Sequence, residues 1–231
     1  MEFGSPQFWL AGIEIIVINI LLSGDNAVVI ALACRNLPPH QRRWGVVWGA
    51  GGAILLRIVL TFFAISLLDL PWLKIVGGLL LLWIGVKLIA DDGGEGHEVK
   101  ASNQLFSAVR TIVVADLVMS LDNVIGVAAA AKGSLVLLVF GLVVSIPLVI
   151  VGSQLIMKAI ERFPMLVMAG GGLLGYVAGE MAVTDNAVSG WIDAHAHWLH
   201  WALPVGCILL VLGVARFLQM RAAARAGGPP A

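Results

Sequence analysis

Seven runs of about 20 mostly apolar residues, near positions 8–33, 44–68, 71–90, 105–131, 134–158, 163–183 and 196–217, occupy most of this 231-residue chain. Each is long enough to cross the hydrocarbon core of a bilayer as a helix. In lipid a backbone must satisfy its own polar groups, which a helix does within one segment. The expected fold class is therefore all-α, a polytopic helical membrane protein. Charged residues are 12% of the chain, against about 25% in soluble domains, and this excludes a water-soluble reading. The formal net charge is zero and no basic arm is present, so the expected partner is the lipid bilayer, with no nucleic acid. Cys34 and Cys207 lie in or beside apolar runs and read as buried thiols. The amino-terminal residues lack a basic region and a small-residue cleavage site, so no cleavable signal peptide is expected.

If the chain weaves strictly through the bilayer, one side receives Arg35, Arg42, Arg43, Lys100, Arg110, Lys158, Arg162, Arg216, Arg221 and Arg225. The other receives only Lys74 and Lys132. Basic residues near span ends mark the cytoplasmic side. The expectation is an integral protein of a bacterial plasma membrane with its amino terminus outside and its carboxyl terminus in the cytoplasm.

An internal repeat organises the spans. A shift of 97 residues lays Asn19, Ser23, Asp25 and Asn26 on Asp116, Ser120, Asp122 and Asn123, and a shift of 93 lays Pro71, Gly77 and Gly78 on Pro164, Gly170 and Gly171. Two matches in the same order imply duplication of a three-helix unit. Three is odd, so the second copy enters the membrane from the opposite face. The expected architecture is two inverted three-helix repeats plus a seventh helix, a plan common in secondary transporters. The expected divisions are 1–90 for the first repeat, 91–104 for a cytoplasmic acidic linker, 105–183 for the second repeat, and 184–231 for an outer loop, the seventh helix and a basic cytoplasmic tail.

The repeated Ser-x-Asp-Asn motif carries the chemistry. Glu14 and Arg35 bracket the first span and Arg110 and Lys132 the fourth, which puts Asp25 and Asp122 close to mid-membrane. A charged Asp at that depth costs about 2.5–3.5 kcal/mol on insertion scales and by default marks an ion path or proton relay. On continuous helices Asn19, Ser23 and Asn26 share one face, as do Asp116, Ser120 and Asn123. Carboxylates, amide oxygens and hydroxyls suit hard cations such as Mg²⁺, Ca²⁺ and Mn²⁺ rather than Zn²⁺ or Cu⁺. The candidate metal residues are thus Asp25, Asn26, Asp122, Asn123, Asp116, Asn19, Ser23 and Ser120. They form one shared site or two stations on a path, depending on how the span centres align.

At these residues the chain resembles a known family. LLSGDNAVVIALA in the first half and DLVMSLDNVIGVAAA in the second are similar to the paired signatures of TerC-type integral membrane proteins, and the resemblance covers residues 8 to about 183. It implies an exporter of Mn²⁺ in bacteria, within a wider superfamily of cation and amino-acid exporters. It also carries the metal-site role to Asp25, Asn26, Asp122 and Asn123, with Asn19 and Asp116 alongside. Mn²⁺, or Ca²⁺ or Mg²⁺ in its place, would be the transported ion, with no cofactor bound permanently.

Other polar residues need separate readings. Arg57 falls at the centre of the second span, too deep to snorkel, and is expected to balance an acid, Asp116 first. Lys87 is expected to snorkel to the interface. Asp193, His195, His197 and His200 form an outer segment read mainly as an interfacial loop near Trp198 and Trp201, with metal capture as the sharper alternative. Asp185-Asn186 repeats the Asp-Asn pair at the end of the sixth span and reads as coincidence. No GxxxxGK[ST] nucleotide motif is present, so transport would draw on an ion gradient, with protons as the expected coupling ion. An intramembrane aspartyl protease fits poorly, because such enzymes carry Tyr-Asp and Gly-x-Gly-Asp where this chain has Ala115-Asp116 and Ser23-Gly24-Asp25, and no enzyme is expected. The remaining alternatives are an exporter of a small organic solute such as an amino acid, which would need a roomier cavity, and a non-transport membrane assembly factor.

Overall fold

The computed structural model describes residues 9–10, 13, 16–17, 24–68, 70–90, 101–130 and 135–225, leaving the side chains of 62, 64–68, 101–102, 122–130, 135, 137–138, 223 and 225 outside that description. Eight helices and no strand occur among the described residues: α1 Gly24–Cys34, α2 Pro39–Leu68, α3 Leu73–Ala90, α4 Ala101–Ala130, α5 Leu135–Arg162, α6 Met165–Val183, α7 Ser189–His195 and α8 Leu199–Arg225. Six of them, α2 to α6 and α8, are long and apolar enough to cross a membrane. The 8–33 span expected from the sequence overlaps α1, and most of it before Gly24 lies outside the described residues, as do Glu14, His97 and Lys100. The protein is an all-helical, polytopic membrane protein.

Proline and local chemistry set the helix starts. Pro39 opens α2, where its missing N–H is no loss, and Pro38 O accepts the N–H groups of Gln41 and Arg42 at 2.8 and 3.1 Å. Pro164 stands at the N-cap of α6 with φ −56°. The start of α3 is made differently. Trp72 adopts a left-handed φ of 71°, rare for a bulky side chain and costing about 1–3 kcal/mol. Its N–H donates to Asp185 Oδ1 at 2.9 Å, and those of Lys74 and Ile75 donate to Asp185 Oδ2 at 3.0 and 3.3 Å. Asp185 also accepts the Ala187 N–H at 2.8 Å and is fully buried. The Asp-Asn pair read from sequence as a coincidental echo of the motif has a structural role of its own. Asp185 caps the first turn of α3, whose N–H groups have no partner within the helix.

The helices group into two compact units. One contains α1, α2, α4 and nearly all of α5; the other contains α3 and α6 to α8. Within the first, α2 packs along α4, and α1 lies against both. Within the second, α6 packs against α8 and α3, and α3 against α8. Small residues make the approach close enough for backbones to touch. A Cβ on Gly78 would lie 2.7 Å from Ala178 O, and one on Gly175 2.8 Å from Cys207 O. Ile89, Val211 and Ala215 form a buried cluster between α3 and α8, and Gln219 Nε2 donates to Ile89 O at 3.1 Å.

Outward faces are apolar. Leu148, Val151 and Leu155 on α5 and Leu209, Val214 and Phe217 on α8 are exposed, and only 22% and 17% of the spanning windows of these two helices are buried. Water would not tolerate that arrangement over whole helices, whereas lipid requires it. Lys87 Nζ lies 5.5 Å from the Trp83 ring centre near the end of α3, an amphipathic pair of the kind found at a membrane interface.

Candidate functional site

The deepest charges of the first unit meet between α2 and α4. Arg57 lies on α2 and Asp116 and Ser120 one turn apart on α4, which places both acceptors on one face. Arg57 Nη2 donates to Asp116 Oδ1 at 2.6 Å, Arg57 Nε donates to Ser120 Oγ at 2.9 Å, and Ser120 Oγ donates to Asp116 Oδ2 at 3.1 Å. The three bonds close a ring. Arg57, Asp116 and Ser120 are all buried, at 2%, 6% and 0% exposure. Two ions so far from water are tolerable only when paired and hydrogen-bonded, since each loses several kcal/mol of hydration. Thr61 Oγ1 donates to Arg57 O at 2.7 Å, one turn further along α2.

Asn26 stands against this ring from α1. Its side chain is buried at 4% exposure, and neither its Oδ1 nor its Nδ2 has a hydrogen-bond partner among the described residues. A buried amide left unsatisfied costs about 1–3 kcal/mol, so the position asks for an occupant. Asn26 lines a narrow cleft with Val29, Ile30, Ala53, Ile112 and Asp116, with room for about one water molecule. Asp25 is half-buried next to it, and its Oδ1 accepts the Asn26 N–H at 2.8 Å.

The described geometry thus gathers Asp25, Asn26, Asp116, Ser120 and Arg57 in one unit, from three helices. Asn19 and Ser23 lie outside the described residues. Asp122 and Asn123 continue α4 past Ser120, and their side chains lie outside the description. The apolar lining by Ala53 and Ile112 carries no signal in the sequence, where both look like ordinary core positions. Three charges are fixed here: two carboxylates and one guanidinium. Arg57 pairs directly with Asp116, whereas no ion pair to Asp25 occurs among the described contacts.

The Asp193–His200 segment resolves differently from a loop. Ser189–His195 is helical, the chain leaves the helix at Ala196 with φ −144° and ψ 45°, and it re-enters one at Leu199. The break brings Asp193, His197 and His200 together, with one ligand atom from each lying within 4.8 Å of the others. His195 stands apart. Its ring stacks on Trp191 at 5.6 Å between centres, and its Nδ1 lies 3.2 Å from Trp191 O one helical turn back.

The relatives of this chain are membrane proteins as well. The chain is 44% identical over 213 residues to the uncharacterized membrane protein YjbE of Bacillus subtilis, covering 92% of this chain and 97% of that one. It is 26% identical to the uncharacterized membrane protein YceF of the same organism, over 77% of this chain and 72% of that one. It is also 26% identical to the UPF0053 inner membrane protein YgdQ of Escherichia coli, over 71% and 76%. No solved structure matches. Residues 4–223, nearly the whole length, match the family described as Integral membrane protein TerC family, and the chain is a member of that family of integral membrane proteins.

Proposed function

We propose that the chain is a secondary transporter, not an enzyme, and that it exports a hard divalent cation around the acids of its repeated motif. One observation carries the reading: the buried, unpartnered Asn26 amide in a cleft shared with Asp116 and adjoining Asp25. A dehydrated cation of oxygen preference would satisfy the Asn26 Oδ1 and take the Asp25 carboxylate as its charged ligand. The size of the cleft favours an ion over an organic solute. Among hard cations the oxygen set does not choose; Mn²⁺ is preferred on the resemblance of the paired signatures to TerC-type exporters.

Charge sets further terms. With Arg57 committed to Asp116, Asp25 offers one negative charge, and a divalent ion needs a second, which we assign to Asp122. The Arg57–Asp116–Ser120 ring keeps Asp116 compensated when the ion has left, so only Asp25 and Asp122 need protons for the empty carrier to return. Protons exchanging at Asp25 or Asp122 would supply the coupling, and one repeat rocking against the other would alternate access.

Purified protein reconstituted with a metal-sensitive dye in the vesicle lumen tests this. Mn²⁺ entry should fall at least about tenfold, equivalent to 1.4 kcal/mol, in Asp25→Asn and in Asp122→Asn at equal protein incorporation. Wild-type rates in both variants would remove the acids from the mechanism and sink the proposal.

A further inference from the structure

The geometry points to a second cation site, at the junction of α7 with the first turn of α8, in which Asp193, His197 and His200 bind a divalent transition metal of the Zn²⁺ class. It goes beyond the transport reading and does not depend on it. The three donors flank the junction of α7 and α8, and the backbone there is held. Ala196 N donates to Ile192 O at 2.8 Å, Leu199 N to Ala196 O at 2.8 Å and His200 N to His197 O at 3.2 Å, while the side chains of Ile192 and Ala196 are buried. The ligands therefore stand on an anchored turn. Their ligand atoms face one another: His200 Nε2 lies 2.8 Å from Asp193 Oδ1, and the His197 and His200 rings are 5.1 Å apart.

Zinc lies about 2.0–2.2 Å from imidazole nitrogen and carboxylate oxygen and is tetrahedral, so neighbouring donors on one ion are about 3.4 Å apart. The observed limit of 4.8 Å closes with a small side-chain rotation at His197, which is exposed and free to make it. The ion would replace the contact now made between His200 and Asp193. Two imidazoles and one carboxylate exclude Ca²⁺ and Mg²⁺, which take oxygen cages, and the absence of a thiolate among the three disfavours Cu⁺. In the order of divalent affinities Mn²⁺ stands lowest, so this site prefers Zn²⁺, Co²⁺ or Ni²⁺ to Mn²⁺, the reverse of the oxygen set around Asp25. Three protein ligands leave at least one position to water, which makes the ion exchangeable. Bound metal would clip α7 to the first turn of α8.

The test uses the full chain in detergent, free of any polyhistidine tag, with Zn²⁺ titrated against a chromophoric chelator. One equivalent of Zn²⁺ should bind, Mn²⁺ should bind more weakly, and Ca²⁺ in large excess should not compete. His197→Ala and His200→Ala should each weaken Zn²⁺ at least about tenfold, and Asp193→Asn should weaken it as well. His195→Ala should bind as wild type does, because that ring stacks on Trp191 away from the cluster. Asp25→Asn should also retain the equivalent, which separates this site from the intramembrane one. Thermal unfolding supplies a second reading: Zn²⁺ should raise the midpoint of wild type and of His195→Ala, but not of His197→Ala or His200→Ala. Absence of Zn²⁺ binding to wild type, or equal binding by the His197 and His200 variants, overturns the proposal.

Discussion

Asn26 separates a ligand from a structural residue in a way that mutation can read. A structural asparagine stabilises through its bonds, so losing it weakens the fold. Asn26 makes no side-chain bond among the described residues, and Asn26→Leu removes an unsatisfied amide while keeping its branched shape. The expected outcome is a thermal midpoint unchanged or raised, by an amount corresponding to about 1 kcal/mol, together with loss of Mn²⁺ transport in the vesicle assay. A lowered midpoint would assign the residue to the fold. Arg57 predicts the opposite. Arg57→Gln leaves Asp116 buried without a counter-charge, at a cost of about 3–5 kcal/mol, and the double variant Arg57→Gln, Asp116→Asn should recover most of that loss in thermal unfolding. Recovery by the double variant is the signature of charge pairing; equal instability of single and double variants would show that packing alone matters. That Arg57 has an acid partner is legible in the sequence, because a guanidinium at mid-span has no other means of staying there. The orphaned state of Asn26 is not legible, because it depends on which groups of α2 and α4 fail to reach it.

The start of α3 depends on one residue distant in sequence. Asp185 lies 110 to 113 positions from the N–H groups it accepts, too far for any local pattern to signal a cap, and its resemblance to the Asp-Asn motif is misleading. Burial pushes its carboxyl up, but the N–H groups of Ala187, Trp72, Ile75 and Lys74 outweigh that and hold it below its ordinary value. A carboxyl whose folded value is depressed contributes stability that is fully present above its unfolded value, about 3.9, and is lost as pH falls from there through the lowered one. Asp185→Ala should cost about 1–2 kcal/mol at neutral pH, as expected for a lost cap. The gap between wild type and variant should narrow only below about pH 4 in thermal unfolding of the purified chain. A gap that stayed constant down to pH 3 would mean that the charge has no part in the cap. The long spans, by contrast, were legible to within a few residues at most ends, because apolar length and proline punctuation act locally. The short α7 was not: the Asp193 to His200 stretch that begins in it has loop composition, and the helical part is anchored by the buried Ile192.

At the scale of the whole molecule, the grouping of helices draws on both halves of the sequence. The first unit takes α1 and α2 with α4 and α5, and the second takes α3 with α6 and α8, so the two copies of the Asp-Asn motif, on α1 and α4, belong to one unit. Within the units, the helices aligned by the internal repeat lie side by side: α1 against α4, and α3 against α6. The repeated motif is visible in residue identities, whereas this pairing is a property of packing and left no mark in either segment alone. The proposed transport must also have a direction, and two proposals join there. If the basic side defined by Arg42, Arg162 and Arg221 faces the cytoplasm, the amino terminus is outside, and export against proton entry means that Mn²⁺ and H⁺ cross in opposite senses. In vesicles where the protein is inserted with its cytoplasmic side outward, an acidic lumen should therefore drive Mn²⁺ into the lumen. Reversing the pH gradient should suppress entry, and a proton ionophore should abolish the difference between the two. Terminal protease tags fix the orientation independently, so the two proposals fail separately: a protected carboxyl terminus in intact cells supports the topology, and gradient-independent Mn²⁺ movement with the topology intact would remove protons as the coupling ion while leaving the cation site in place.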